Sequence, residues 1–149
     1  MRGFSRFLTM LLFLGFTLPL AAAEARPKVS GAWVRLPVIA GRPGAAYFRL
    51  ESGVADQLLE VSSPQAQSAM LHNSSMEGGV MRMDELPGMA VPAGQPVLLA
   101  PGGAHVMLFG LAPSVKPGST VTLLLHFAKA GQVAVQAKAQ AATAPPPVR

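Results

Sequence analysis

From residue 29 onward the chain is cut by glycine or proline every eight to twelve residues, and this punctuation restricts its fold more than any other feature. Fourteen prolines and fifteen glycines leave little room for long helices. Proline removes a helix hydrogen bond, and glycine costs roughly 1 kcal/mol against alanine in a helix interior. The runs between these breaks are short and rich in Val, Leu, Phe and Thr. Evenly spaced runs of that kind predict an all-β sandwich or barrel. Strands are expected at 29–35, 45–52, 57–62, 69–73, 80–83, 97–99, 105–111, 120–128 and 131–138. Only 63–68 leaves space for a turn of helix, and no internal repeat is visible.

The first residues read differently. Arg2 and Arg6 form a positive start, 7–18 an apolar run, and Ala21-Ala22-Ala23 a small-residue cleavage site. That is the pattern of a secretory signal peptide at 1–23, with cleavage after Ala23 or after Ala25. The apolar run is too short for a membrane span. A single domain is expected over 24–139, long enough to bury a core. The end, 140–149, is rich in Ala and Pro without periodicity, which predicts a disordered tail.

Loss of Arg2 and Arg6 with the leader lowers the formal net charge from +5 to +3. The basic residues are scattered rather than clustered among aromatics, so a nucleic-acid partner has no support. There is no cysteine. Blue-copper and binuclear thiolate sites, CxxC redox pairs, cysteine nucleophiles and lipid attachment at a lipobox cysteine are therefore all excluded.

The chemistry is concentrated in 71–111, LHNSSMEGGVMRMDELPGMAVPAGQPVLLAPGGAHVMLFGL. These forty-one residues hold two of the three histidines and five of the six methionines outside the leader. Four of them stand at definite intervals: His72, ten residues, Met83, twenty-one residues, His105, one residue, Met107. In an extended strand alternate residues share a face, which puts His105 with Met107 and Met81 with Met83. Two imidazoles and two thioethers make a soft, neutral donor set of the kind that selects Cu(I) over hard divalent ions.

This spacing resembles the signature of the PCu(A)C family of periplasmic copper chaperones, His-x10-Met-x21-His-x-Met, which His72, Met83, His105 and Met107 meet without a gap. GAWVR at 31–35, AAYFRL at 45–50, MEGGVMRM at 76–83 and PGGAHVMLFGL at 101–111 agree as well, so the likeness covers about 29–135. It implies a cupredoxin-like Greek-key β-sandwich that binds one Cu(I) per chain through those four residues. It further implies a monomer exported to the periplasm that delivers copper to the CuA centre in subunit II of cytochrome c oxidase, with a Sco-type thiol protein as a further partner. Many relatives carry methionine two residues after the first histidine; here that position is Ser74. Some also carry a His- and Met-rich tail that takes Cu(II), and the tail here has neither residue type.

The other candidates have plainer readings. Met70, Met81 and Met89 fit the usual role of methionine as a filler of irregular core gaps. Met76, in a loop four residues after His72, is open between a rim thioether and a surface residue. His126 alternates with Leu125 and Phe127 and is expected to face solvent. Trp33 and Tyr47 read as core anchors, and Asp56 as a turn residue bonding the backbone two positions on. Glu77, Asp84 and Glu85 read as a solvated face. Four neutral ligands would leave Cu(I) with a net charge of +1, which costs less desolvation than a divalent ion in the same place. A filled four-ligand site has no open position for catalysis, so a carrier is expected rather than an enzyme. The alternatives are a copper-sequestering or resistance protein, and a structural β-module without metal.

Overall fold

The structure, a computed structural model, describes residues 26–147, and within them each of the nine expected runs is a strand. The expected leader, with its cleavage site, lies outside the described residues, as do the last two residues of the tail. In chain order the strands are β1 (Lys28–Arg35), β2 (Gly44–Glu51), β3 (Asp56–Ser62), β4 (Ser68–Glu77), β5 (Val80–Glu85), β6 (Met89–Val91), β7 (Val97–Leu99), β8 (Ala104–Phe109), β9 (Thr120–Phe127) and β10 (Gly131–Gln140). Three-residue β6 is not among the runs read from the sequence; it pairs with the start of β3. Residues 63–67 form a turn closed by Ala66 N–H to the Ser63 carbonyl at 3.2 Å, without helix. β10 continues through Gln140, one residue into the segment expected to be irregular, and 141–144 make a turn after it.

Hydrogen bonding links the strands in the order β5-β4-β8-β2-β1-β10-β9-β3-β6, with β7 also on β2. This continuous path folds over into an all-β, cupredoxin-like Greek-key sandwich around one core. Every pairing of neighbours is antiparallel except β1 with β10, which run parallel. The core is built by strict alternation: Ala46, Phe48 and Leu50 point inward from β2, Val106 and Leu108 from β8, and Val121, Leu123, Leu125 and Phe127 from β9. In β3 a bulge between Leu58 and Glu60 inserts a residue. It lets Leu58 and Val61, three positions apart, both enter the core.

Two features matter for the site. β4 pairs with β8 only from Ser68 to Asn73, while its pairing with β5 continues from His72 to Glu77. The far ends of β4 and β5 therefore extend past the sheet as a two-stranded arm. At its tip Gly78 and Gly79, with φ of +57° and +80°, connect Glu77 to Val80. Positive φ at both central residues is the two-residue hairpin turn that glycine allows and that matches the twist of the strands. Met76 thus lies in a strand and not in a loop.

Asp56 also departs from expectation. Its carboxylate accepts from the N–H groups of Gln57, Lys129 and Ala130 at 2.7, 2.9 and 2.9 Å. It ties the β9–β10 turn to the start of β3 instead of bonding two positions along its own turn. Desolvation works against ionisation, but these backbone donors and the Lys129 charge overcome it and hold the Asp56 carboxyl below its ordinary value. A lowered folded-state value means that the stabilisation is present above the unfolded pKa and is lost as pH falls through the folded one. Asp56→Ala is expected to cost about 1 kcal/mol at neutral pH, and the gap from the parent protein should narrow below about pH 4. Urea unfolding of both proteins across that range checks this.

Candidate metal centre

The register of β4 against β8 builds the centre. His72 is the direct cross-strand partner of His105, and Met70 of Met107. Residues directly opposite on one face have Cβ atoms about 5 Å apart. The two imidazoles accordingly stack, with ring centroids 6.0 Å apart and planes at 19°. On the other side of β4, Met83 of β5 stands opposite Ser74, two residues on from His72 and on the same face. All four residues singled out by spacing are thus on one face of β5-β4-β8, the face turned away from the core. His105 is 6% exposed, His72 and Met107 are half-buried, and Met83 is 49% exposed. The donors grade from the interior to the surface.

The ring orientations follow from the β7–β8 turn. Gly102 takes a φ of +86°, and Gly103 N–H closes on the Ala100 carbonyl at 3.1 Å. The Gly103 carbonyl accepts from Ser74 N–H at 3.1 Å and faces His105 Nδ1 at 3.0 Å. A carbonyl can only accept, so His105 carries its ring proton on Nδ1 and keeps the Nε2 lone pair free for a ligand. His72 Nδ1 faces the Met70 carbonyl in the same sense at 3.4 Å, a longer and weaker contact. Backbone carbonyls that orient imidazoles in this way are the usual outer support of metal-binding histidines.

Behind His105 lies a row that strand patterning alone does not identify. Trp33 and Tyr47 are buried, as the expected anchors should be, but on the site's face of the sheet rather than within the main core cluster. Their centroids are 4.6 Å apart, and Tyr47 is 6.3 Å from the His105 ring. The Arg35 guanidinium lies over both, 5.1 Å from Trp33 and 5.8 Å from Tyr47, in cation–π geometry. Burial pushes the Tyr47 hydroxyl above its ordinary value, against the opposing pull of the Arg35 charge, so the ring next to His105 is neutral. Parity was the available signal: Trp33 and Val34 are adjacent, as are Tyr47 and Phe48, so one of each pair had to leave the core.

The methionines are also redistributed. Met89 packs against the core as expected. Met70 and Met81 do not; they are 40% and 63% exposed, and both face the site side. His126 lies on β9, four strands away from β8 in the sheet, with its side chain on the face away from the core. Of the three carboxylates read as solvated, Glu77 pairs with Arg82 at 2.9 Å, and Glu85 is exposed opposite His72. Among the described residues no three His, Asp or Glu side chains converge as a hard metal site. The donors that share this face are imidazole and thioether, which suits a soft monovalent ion.

Known proteins share this fold. The fold is similar to the apo PCuAC domain of PmoF1, with a TM-score of 0.65 and 26% identity over 79% of this chain and 96% of that one. It is also similar to the solution structure of CuI-DR1885 from Deinococcus radiodurans, with a TM-score of 0.60 and 28% identity over 85% of this chain and 81% of that one. A copper-bound PCuAC domain from PmoF2, at 24% identity and a TM-score of 0.65 over 79% of this chain and 95% of that one, shares the fold. A protein of Leifsonia xyli subsp. xyli described as a "Putative lipoprotein" is 35% identical over 105 residues, and the chain spans 61% of that relative's length. These 149 residues contain no cysteine on which a lipid could be carried. Residues 28–139, from the first strand to the last, match one family throughout, and on a fold shared with PCuAC domains the chain belongs to the family described as "Putative lipoprotein LpqE-like".

Proposed function

We propose that the protein is an exported Cu(I) metallochaperone that carries one Cu(I) per chain on His72, Met83, His105 and Met107. The observation that carries this reading is the cross-strand His72–His105 pair flanked by thioethers on one face of β5-β4-β8. Both imidazoles turn Nδ1 to a carbonyl, which leaves Nε2 available, and neither thioether brings a charge or a proton. Cu(I) held there would keep a single positive charge. Zn(II) would keep two, with no carboxylate among the four donors to offset them. The likeness to a Cu(I)-loaded relative and to PCuAC domains supports the same cargo. With both imidazoles bound to the ion the donor set leaves no general base free, and four ligands fill the coordination of Cu(I), which suits transfer of the ion rather than catalysis.

The reading extends to the periplasm as the compartment, given the leader-like start and relatives described as lipoproteins. The destination we propose is the CuA centre in subunit II of cytochrome c oxidase, with a Sco-type thiol protein as co-donor. Deleting the gene should lower oxidase activity under copper limitation, and added copper should partly restore it. Intact respiration with heightened sensitivity to excess copper would identify sequestration instead.

Two measurements test the site itself. In the metal-free protein, nitrogen NMR should show His105 as the Nδ1-protonated tautomer with an unprotonated Nε2; the opposite tautomer would contradict the ligand geometry. Met83→Leu and Met107→Leu nearly conserve volume, so each should cost less than about 1.5 kcal/mol of stability. Each should weaken Cu(I) binding by about tenfold or more, the equivalent of about 1.4 kcal/mol. Met89→Leu should change neither property, and His126→Ala should leave copper binding as it was. Competition against a Cu(I) chelator, with chemical denaturation in parallel, reads both quantities.

A further inference from the structure

The β4–β5 arm sorts its side chains by chemistry. Met76 and Met81 are direct cross-strand partners, as are Ser74 and Met83, and all four share the face that bears His72. The opposite face carries Ser75 against Arg82 and Glu77 against Val80, with the Glu77–Arg82 ion pair at 2.9 Å. Beyond Met83, toward the tip, thioethers therefore occupy the side that leads to the candidate centre and the Glu77–Arg82 pair the other; Glu85, opposite His72, is the charge that stands on the thioether face. Met76 and Met81 are 65% and 63% exposed, and every residue of β5 is exposed. Methionine used as a packing filler would be covered. These two are not, and core packing does not account for their position.

From this placement we infer that Met76 and Met81 form a second, weaker station for a soft monovalent ion at the tip of the arm, adjoining the main site at Met83. The inference rests on the reading of the main site as a Cu(I) site. Directly opposite residues on one face have Cβ atoms about 5 Å apart, within which two flexible thioethers can close on one ion. Met81 and Met83 are two residues apart on one strand, a step of about 7 Å. Met83 is itself two residues diagonal from His72. An ion on Met76 and Met81 thus has a thioether within one short step on the way to the two histidines, and the return path is the same. Only metal–sulfur bonds, and at the histidines metal–nitrogen bonds, form and break, and no electron moves. Two neutral thioethers without an imidazole bind more weakly than the main set. A station at the point of entry and release needs that weakness, because it must give up the ion in either direction.

The test uses Ag(I), a redox-inert stand-in for Cu(I), added to protein labelled at the methionine methyl carbons. Single Met→Leu variants assign the signals. Met83 and Met107 should shift during the first equivalent, and Met76 and Met81 should shift during a second that saturates. Met76→Leu/Met81→Leu should lose the second equivalent and keep the first, and Zn(II) should move neither methyl of the pair. Met76 and Met81 signals that stay fixed through two equivalents, or that drift without saturating, would overturn the station. So would a double variant that keeps the second equivalent, or one that loses the first, since the pair would then belong to the main site. If Met76 and Met81 saturate while Met83 and Met107 do not respond, the station stands and the reading of the main site fails.

Discussion

The antiparallel register between β4 and β8 is the constraint on which the rest of this molecule's chemistry depends, and the hydrophobic core sets it. Leu71 stands opposite Val106, and both are buried; His72 stands opposite His105, on the other face. A slip of one residue would turn Leu71 out to solvent and drive an imidazole into the core, since side chains alternate with a period of two. Burying a leucine contributes about 1.5–3 kcal/mol, and an unpaired polar ring inside would cost a comparable amount. The histidines are therefore aligned by their apolar neighbours rather than by any attraction of their own.

The centre is stiff on one side and open on the other. β8 leans on β2, which is paired with β1 along one edge and with β7 and β8 along the other. The Trp33–Tyr47 stack under Arg35 backs His105, and the Gly103 carbonyl orients its ring. Met83 belongs to the outermost strand, exposed along its whole length, and is held by β4 alone. Segments with few buried contacts open at low free energy, whereas core strands open only at high free energy. Under the proposed carrier role, a fixed imidazole beside a compliant thioether is a suitable division. It also places the movable thioether of Met83 at the surface.

The parts of the fold that were legible in the amino-acid order are those decided locally. Glycine and proline restrict φ wherever they stand, so turns and strand centres could be placed from them, and only three-residue β6 escaped. Donor softness belongs to residue type, and the His105–Met107 pairing follows from alternation within one strand. The length of the arm was missed although its signal was present, a Gly-Gly pair between Glu77 and Val80 that permits the tightest hairpin turn.

Residue types and their intervals along the chain specify the class of fold, the kind of ion the donors suit and the spacing of four candidate ligands. Which side of each strand faces inward is settled only when the sheet assembles. Trp33 beside Val34, Tyr47 beside Phe48, and Met70 beside Leu71 are pairs of apolar neighbours, and either member could have filled the core. Alternation says only that the two must part; the partner strands and the volume left inside choose between them. That choice sent an aromatic pair to support His105 and placed Met70 and Met81 on the open face, because burial is a property of the assembled sheet and not of a single residue.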